Sequence, residues 1–174
     1  MQQPTHLVVM GVAGSGKTTL AAALSQRLGW ICAEADEFHP ARNIDKMRQG
    51  IPLEDADRWP WLAQIRDWMT SQARAGASTV LTCSALKKSY RELLSGAEGR
   101  VVFLHLDGGA DVISQRIQGR EGHFMPPALL PSQLATLEPL TKEELDAGSL
   151  RLDIGHSPEE LATAVVDALG LSAR

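Results

Sequence analysis

Short apolar runs rich in β-branched residues alternate along this chain with stretches in which large apolar side chains recur every three or four positions. The runs are His6 to Met10, Trp30 to Ala35, Thr79 to Cys83, Val101 to Leu106 and Leu150 to Ile154. Strand-like runs interleaved with helical spacing predict an α/β protein built on a parallel sheet covered by helices. Val101-Val-Phe-Leu104 and Thr79-Val-Leu-Thr-Cys83 are almost continuously apolar, as strands buried on both faces must be. In such a sheet the chemistry gathers beyond the carboxyl ends of the strands.

Leu20, Leu24 and Leu28 stand four apart and end at Gly29, which predicts a helix with one apolar stripe and a glycine cap. Leu62, Ile65 and Met69 predict a longer helix from about Trp61 to Ala75, terminated by Gly76. Ser157-Pro158-Glu159-Glu160 combines an N-cap serine, a proline at the first helical position and a capping-box glutamate, so a last helix runs to about Leu169. Pro126, Pro127 and Pro131 punctuate residues 121–131 and predict an exposed mobile loop between two helices. With no repeat or linker in view, the 174 residues suit one domain, 1–174.

Composition narrows the partners. Seventeen basic against 21 acidic residues leave a net charge of −4 and no broad electropositive field, which excludes nucleic acid as the main partner. An anionic substrate then needs a local basic cluster. Cys32 and Cys83 both fall in predicted strands, where cysteine behaves as a small buried hydrophobe, and this fits a reducing cytoplasmic location. The opening residues show neither a charged n-region nor a long apolar run, so no signal peptide and no membrane span are expected.

Between the first strand and the first helix stands Gly11-Val-Ala-Gly-Ser-Gly16-Lys17-Thr18, a match to the phosphate-loop pattern G-x-x-x-x-G-K-[ST]. Converging backbone N–H groups on phosphate oxygens demands a tightly curled chain, which glycine permits. Gly11, Val12, Ala13, Gly14, Ser15, Gly16, Lys17, Thr18 and Thr19 are therefore the candidate nucleotide-binding residues. Lys17 reaches the outer phosphates and the Thr18 hydroxyl ligates Mg²⁺.

A phosphate loop alone does not separate a kinase from a GTPase or a motor ATPase. The guanine-reading Asn-Lys-x-Asp pattern is absent, and the third strand ends at Cys83-Ser84 with no Walker B carboxylate. The candidate acids are instead Glu34 and Asp36 at the end of the second strand, where they can face Mg²⁺ and an incoming hydroxyl. Arg116 and Arg120 are four apart in a helical segment that runs into Glu121-Gly-His-Phe-Met125, and they fit a lid that closes over the nucleotide. Lys87 and Arg91 share a predicted helix face after the third strand, and with Arg58 they supply the local basic cluster. His39 and His123 lie in predicted loops as further candidate substrate ligands.

These segments together resemble the gluconate kinases (gluconokinases) of the shikimate-kinase-like phosphate-loop fold. The resemblance rests on Gly11 to Thr18; on His39-Pro-Ala-Arg-Asn-Ile-Asp-Lys-Met47 with Gly50-Ile-Pro-Leu-Glu-Asp-Ala-Asp-Arg58-Trp-Pro-Trp-Leu62; on Cys83-Ser-Ala-Leu-Lys-Lys-Ser-Tyr-Arg91; and on Arg120-Glu-Gly-His-Phe-Met-Pro126 with Ser132-Gln133 and Leu137-Glu-Pro139. It implies a three-layer nucleotide-kinase-like fold whose five-stranded parallel sheet has the order 2-3-1-4-5, helices on both faces, and a mobile lid near residues 121–131. It also implies ATP and Mg²⁺ as cofactors, D-gluconate as the small-molecule substrate, transfer of the γ-phosphoryl to its terminal hydroxyl, and a homodimer.

Carried onto this chain, the resemblance makes Lys17, Asp36 and Arg120 catalytic, with Arg116 and Arg120 beside the nucleotide. It assigns the substrate to Asp36, His39, Arg58, Lys87, Arg91 and His123, and the metal to Thr18 and Glu34. The family pattern Asp-Gly-Asp after the second strand reads Glu34-Ala35-Asp36 here, which keeps the acid at 36 and lengthens the one at 34. Two alternatives stand beside this: a shikimate-type kinase, whose Phe-Arg-x-x-Glu segment and triple glycine are absent, and a nucleotide-dependent regulatory module, which needs no acceptor-side cations.

Overall fold

The strand Thr5–Met10 (β1) is buried along its whole length, because helices cover both faces of the sheet it centres. We describe residues 3–12, 15–108 and 136–171 of a computed structural model of the chain. The other strands are Ile31–Glu34 (β2), Thr79–Thr82 (β3), Arg100–Asp107 (β4) and Leu150–Asp153 (β5). All pair in parallel, and the five-stranded order is β2-β3-β1-β4-β5. That is the predicted order.

Among the described residues the helices are Lys17–Leu28 (α1), Ala41–Arg48 (α2), Asp55–Arg74 (α3), Lys88–Leu94 (α4), Lys142–Asp146 (α5) and Pro158–Leu169 (α6), with a 3₁₀ turn at Ala35–Phe38. Alternation along the strands sends Leu7 and Val9 of β1 into a core with Leu20, Leu24 and Leu28 of α1 and Leu161 and Val165 of α6. Val8 and Met10 face the other way, onto Leu62, Ile65 and Met69 of α3 and Leu94 of α4. Three layers result.

Two expectations are corrected. The helix α3 starts at Asp55 and not near Trp61, because a polar capping box begins it: Glu54 and Asp57 exchange side-chain and backbone hydrogen bonds, a start that apolar periodicity does not reveal. Cys83 is buried but Cys32 is exposed, since β2 is the edge strand and its neighbour Ile31 is also 46% exposed. The final helix forms as predicted: Ser157 Oγ accepts from Glu160 N–H at 3.1 Å, and Gly170 closes the helix in a left-handed conformation.

Candidate active site

Parallel pairing brings the carboxyl ends of the strands to one edge of the sheet, and the glycine loop leaves β1 there. Gly11 has φ 145°, and a Cβ on it would lie 2.8 Å from Ser15 Oγ and 2.9 Å from the Leu106 carbonyl, so only glycine fits. Its N–H donates to the Ser84 carbonyl at 3.3 Å, tying the loop to the end of β3. Gly16, at φ 100°, turns the chain into α1, whose N-terminus adds its dipole to the cradle. Lys17 arches back over the loop, its Nζ donating to the carbonyls of Gly11 at 2.9 Å and Val12 at 3.1 Å. Ala13 and Gly14 lie outside the described residues.

This cradle fits nucleotide phosphates, and its hard oxygen donors fit Mg²⁺. Thr18 stands in the first turn of α1. Glu34 ends β2 with its carboxylate accepting a hydrogen bond from the Thr82 hydroxyl. Among the described residues no group of three or more His, Cys, Asp or Glu makes a ready cage.

Asp36 sits in the 3₁₀ turn just beyond β2, its side chain 57% exposed. Behind it lies His39, its side chain only 3% exposed, with Nε2 3.9 Å from Asp36 Oδ1 and its ring stacked on Trp61 at 4.0 Å. The buried Asn43 donates from Nδ2 to the Asp57 carbonyl at 2.9 Å, and the same nitrogen is 3.1 Å from His39 Nδ1. A carbonyl only accepts, so the amide nitrogen must face it. Its second N–H then reaches His39 Nδ1, which leaves the imidazole proton on Nε2, toward Asp36. The structure thus sets the His39 side chain beneath the acid, directly after the 3₁₀ turn. The Cys83 thiol, pushed up to about 12 by burial, also feels Lys17 and Asp36 through space.

Burial, and then the nearby Arg58 charge, lower the His39 pKa to about 4 from 6.5. The unfolded chain binds more protons in that window, so the stabilisation is complete above pH 6.5 and is lost as the pH falls toward 4. Between pH 7 and pH 5 this one residue should cost about 2 kcal/mol. Urea unfolding at the two pH values should show His39→Gln losing less stability than wild type by about that amount. Identical losses in the two proteins would contradict a buried neutral His39.

The basic cluster differs from its predicted membership. Arg58 and Lys87 do come together, around two residues that the sequence pattern did not single out, Asp55 and Tyr90. Arg58 Nη1 donates to the Tyr90 hydroxyl at 3.0 Å, and Lys87 Nζ lies 3.1 Å from both Asp55 oxygens. The hydrogen bond from Tyr90, then that from Lys87, hold the Asp55 carboxyl below its usual pKa. Arg91 is the correction: it is 1% exposed and bonds Glu144 at 2.6 and 3.0 Å and the carbonyls of Ala85, Glu138 and Pro139 at 3.0, 3.0 and 3.3 Å. All five of its N–H donors are used inside the protein. One further feature was missed, Ala85 at φ 45°, a strained alanine that turns the chain out of β3. Arg116, Arg120, His123 and the lid lie outside the described residues.

A glycine cradle and helix N-terminus next to an acid and a pair of cations, on one edge of a 2-3-1-4-5 parallel sheet, define the phosphate-loop kinases. The family described as an AAA domain matches residues 7–140. A gluconokinase of Gluconobacter oxydans is 57% identical over 136 residues, covering 78% of this chain and 76% of that one. An unliganded sugar kinase from Janibacter sp. HTCC2649 superposes with a TM-score of 0.91 at 50% identity, covering 97% of this chain and 95% of that one. For a gluconokinase from Sinorhizobium meliloti 1021 the TM-score is 0.83 and the identity 40%, with 98% and 94% covered. The chain belongs to the gluconokinase family.

Proposed function

We propose that this protein transfers the γ-phosphoryl group of ATP to the terminal hydroxyl of D-gluconate, giving 6-phospho-D-gluconate and ADP. The observation that carries this is the pair Arg58 and Lys87 gathered around Tyr90, a cationic cluster on the α3–α4 side of an edge that also holds the phosphate cradle. A nucleotide switch has no use for such a cluster.

In this reading the loop N–H groups bind the β- and γ-phosphates, and Lys17 exchanges its two carbonyl partners for phosphate oxygen. Thr18 would hold Mg²⁺ with Glu34 within reach, and the ion when bound would neutralise charge on the phosphates. Arg58 and Lys87 hold the gluconate carboxylate, which leaves the far hydroxyl to approach Asp36. That hydroxyl oxygen bonds to the γ-phosphorus as the bond to the β,γ-bridging oxygen of ADP breaks, and its proton passes to Asp36. The His39 Nε2–H lies behind the same carboxylate, 3.9 Å away. The family likeness extends the reading to a cytoplasmic homodimer that serves carbohydrate-acid catabolism.

The test is a coupled assay of ADP release with D-gluconate, other aldonates, shikimate and nucleoside monophosphates. Gluconate should give the highest kcat/KM, and a rate indifferent to every acceptor would refute the reading. In the same assay Asp36→Asn should lower kcat about 10²-fold or more, the scale of a lost general base, with ATP affinity within a few fold. Equal losses of ATP affinity and turnover would move Asp36 to the metal.

A further inference from the structure

The Asp55 carboxylate is held as a bound acid would be. Lys87 Nζ lies 3.1 Å from each of its oxygens. The Tyr90 hydroxyl donates to Oδ1, and Arg58 Nη1 approaches that oxygen at 3.5 Å. Both cations also lie over the Tyr90 ring, the guanidinium 5.5 Å and the ammonium 5.6 Å from its centroid. The group is open to solvent, with Asp55 44%, Lys87 31% and Arg58 19% exposed. Two positive charges and one negative leave it with a single positive charge.

A half-enclosed cluster of that charge discriminates by valence. An acid of charge −1 brings it to neutrality. An acid carrying −2 at the same point leaves an uncompensated negative charge beside Asp55, in surroundings that screen it less than bulk water does. A neutral polyol leaves a cation without its partner. Asp55 is not needed to cap α3, because Glu54 and Asp57 do that.

We propose that Asp55 is the selectivity residue of the acceptor site, its fixed charge cancelling one of the two cations so that the cluster accepts singly charged acids and turns away doubly charged ones. This rests on the gluconate reading, which puts the acceptor carboxylate at Arg58 and Lys87.

A charge series on one carbon skeleton tests it: D-glucitol, D-gluconate, and the analogue in which phosphonate replaces the carboxylate, which carries two charges at pH 8. Calorimetric affinities are measured for wild type, Asp55→Asn and Asp55→Glu at low and high salt. Wild type should prefer gluconate. Asp55→Asn should improve the phosphonate-to-gluconate affinity ratio at least ten-fold, the gain should shrink as salt screens it, and Asp55→Glu should keep the wild-type ratio. Asp55→Ser makes the same charge change on a helix-starting side chain if asparagine does not fold. A ratio unchanged in the neutral variants, with both acids weakened alike, overturns the proposal and leaves Asp55 as an anchor for Lys87. Wild type that neither binds nor phosphorylates gluconate overturns the functional reading instead, and that result is seen without any variant.

Discussion

Lys17→Ala is expected to lower kcat about 10²–10³-fold, the scale set by removing one charged donor from a preorganised site, or about 3–4 kcal/mol. In the transferring phosphoryl group, negative charge spreads over oxygens at the mouth of the loop, and Lys17 Nζ already waits there on two neutral carbonyls. Neutral carbonyls hold a cation less strongly than phosphate oxygens do. Its side chain is only half-buried in the first turn of α1, where alanine is a good helix former, so the fold should survive. The checks are kcat in the coupled assay, nucleotide affinity, and a thermal melt of the same preparation. A folded Lys17→Ala protein with near-normal kcat would remove the residue from the mechanism.

Arg91→Ala should act on stability and only secondarily on catalysis, with a loss of about 3–5 kcal/mol. The guanidinium is the bolt between α4 and the segment that ends in α5. Removing it leaves Glu144, only 14% exposed, without its cation, and three carbonyls without their donor. For a chain of this length that corresponds to a fall of about 10 °C in Tm. Arg91→Lys should recover only part of it, because one ammonium cannot reach five acceptor positions in a plane. Burial works to raise the Glu144 carboxyl, but the bonds from Arg91 and from Thr141 outweigh it and the pKa is lowered. The pair's contribution is therefore present at neutral pH and disappears as the pH drops through the lowered carboxylate range. A melting temperature close to wild type for Arg91→Ala would contradict this account. A large rise in gluconate KM without loss of stability would return Arg91 to the substrate.

The pattern of Leu7, Val9, Leu20 and Leu24 announced the sheet and its first helix because burial on a regular period is a local property of the chain. Ser157 and Gly29 were equally legible, since caps act within a few residues. Arg91 was misread for a physical reason. Lys87 and Arg91 are four apart, but Lys87 is the extended N-cap of α4 at φ −106°, ψ 147°, so the two do not share a helix face. One turns out to Asp55 and the other turns in to Glu144. The place of His39 under Asp36 depends on Trp61 and on the Asp57 carbonyl, contacts made across a turn and two helices that no spacing rule encodes. Asp55 was hidden in an acidic stretch, where a carboxylate is ordinarily solvated, and the partners Lys87 and Tyr90 that join Arg58 around it come from a segment more than thirty residues away.

The two halves of the site are made from different materials. Around Gly11 the geometry is fixed by main-chain atoms, and one added methyl would strike a backbone oxygen at 2.9 Å. Around Asp55 it is fixed by side chains on α3 and before and within α4, whose backbones serve the core regardless of what they display. Divergence within this scaffold is therefore lopsided. The nucleotide half can be lost but hardly retuned, whereas the half proposed for the acceptor can change its clientele through exchanges at 55, 58 and 87 while Tyr90, buried in the core, and the phosphate cradle stay as they are.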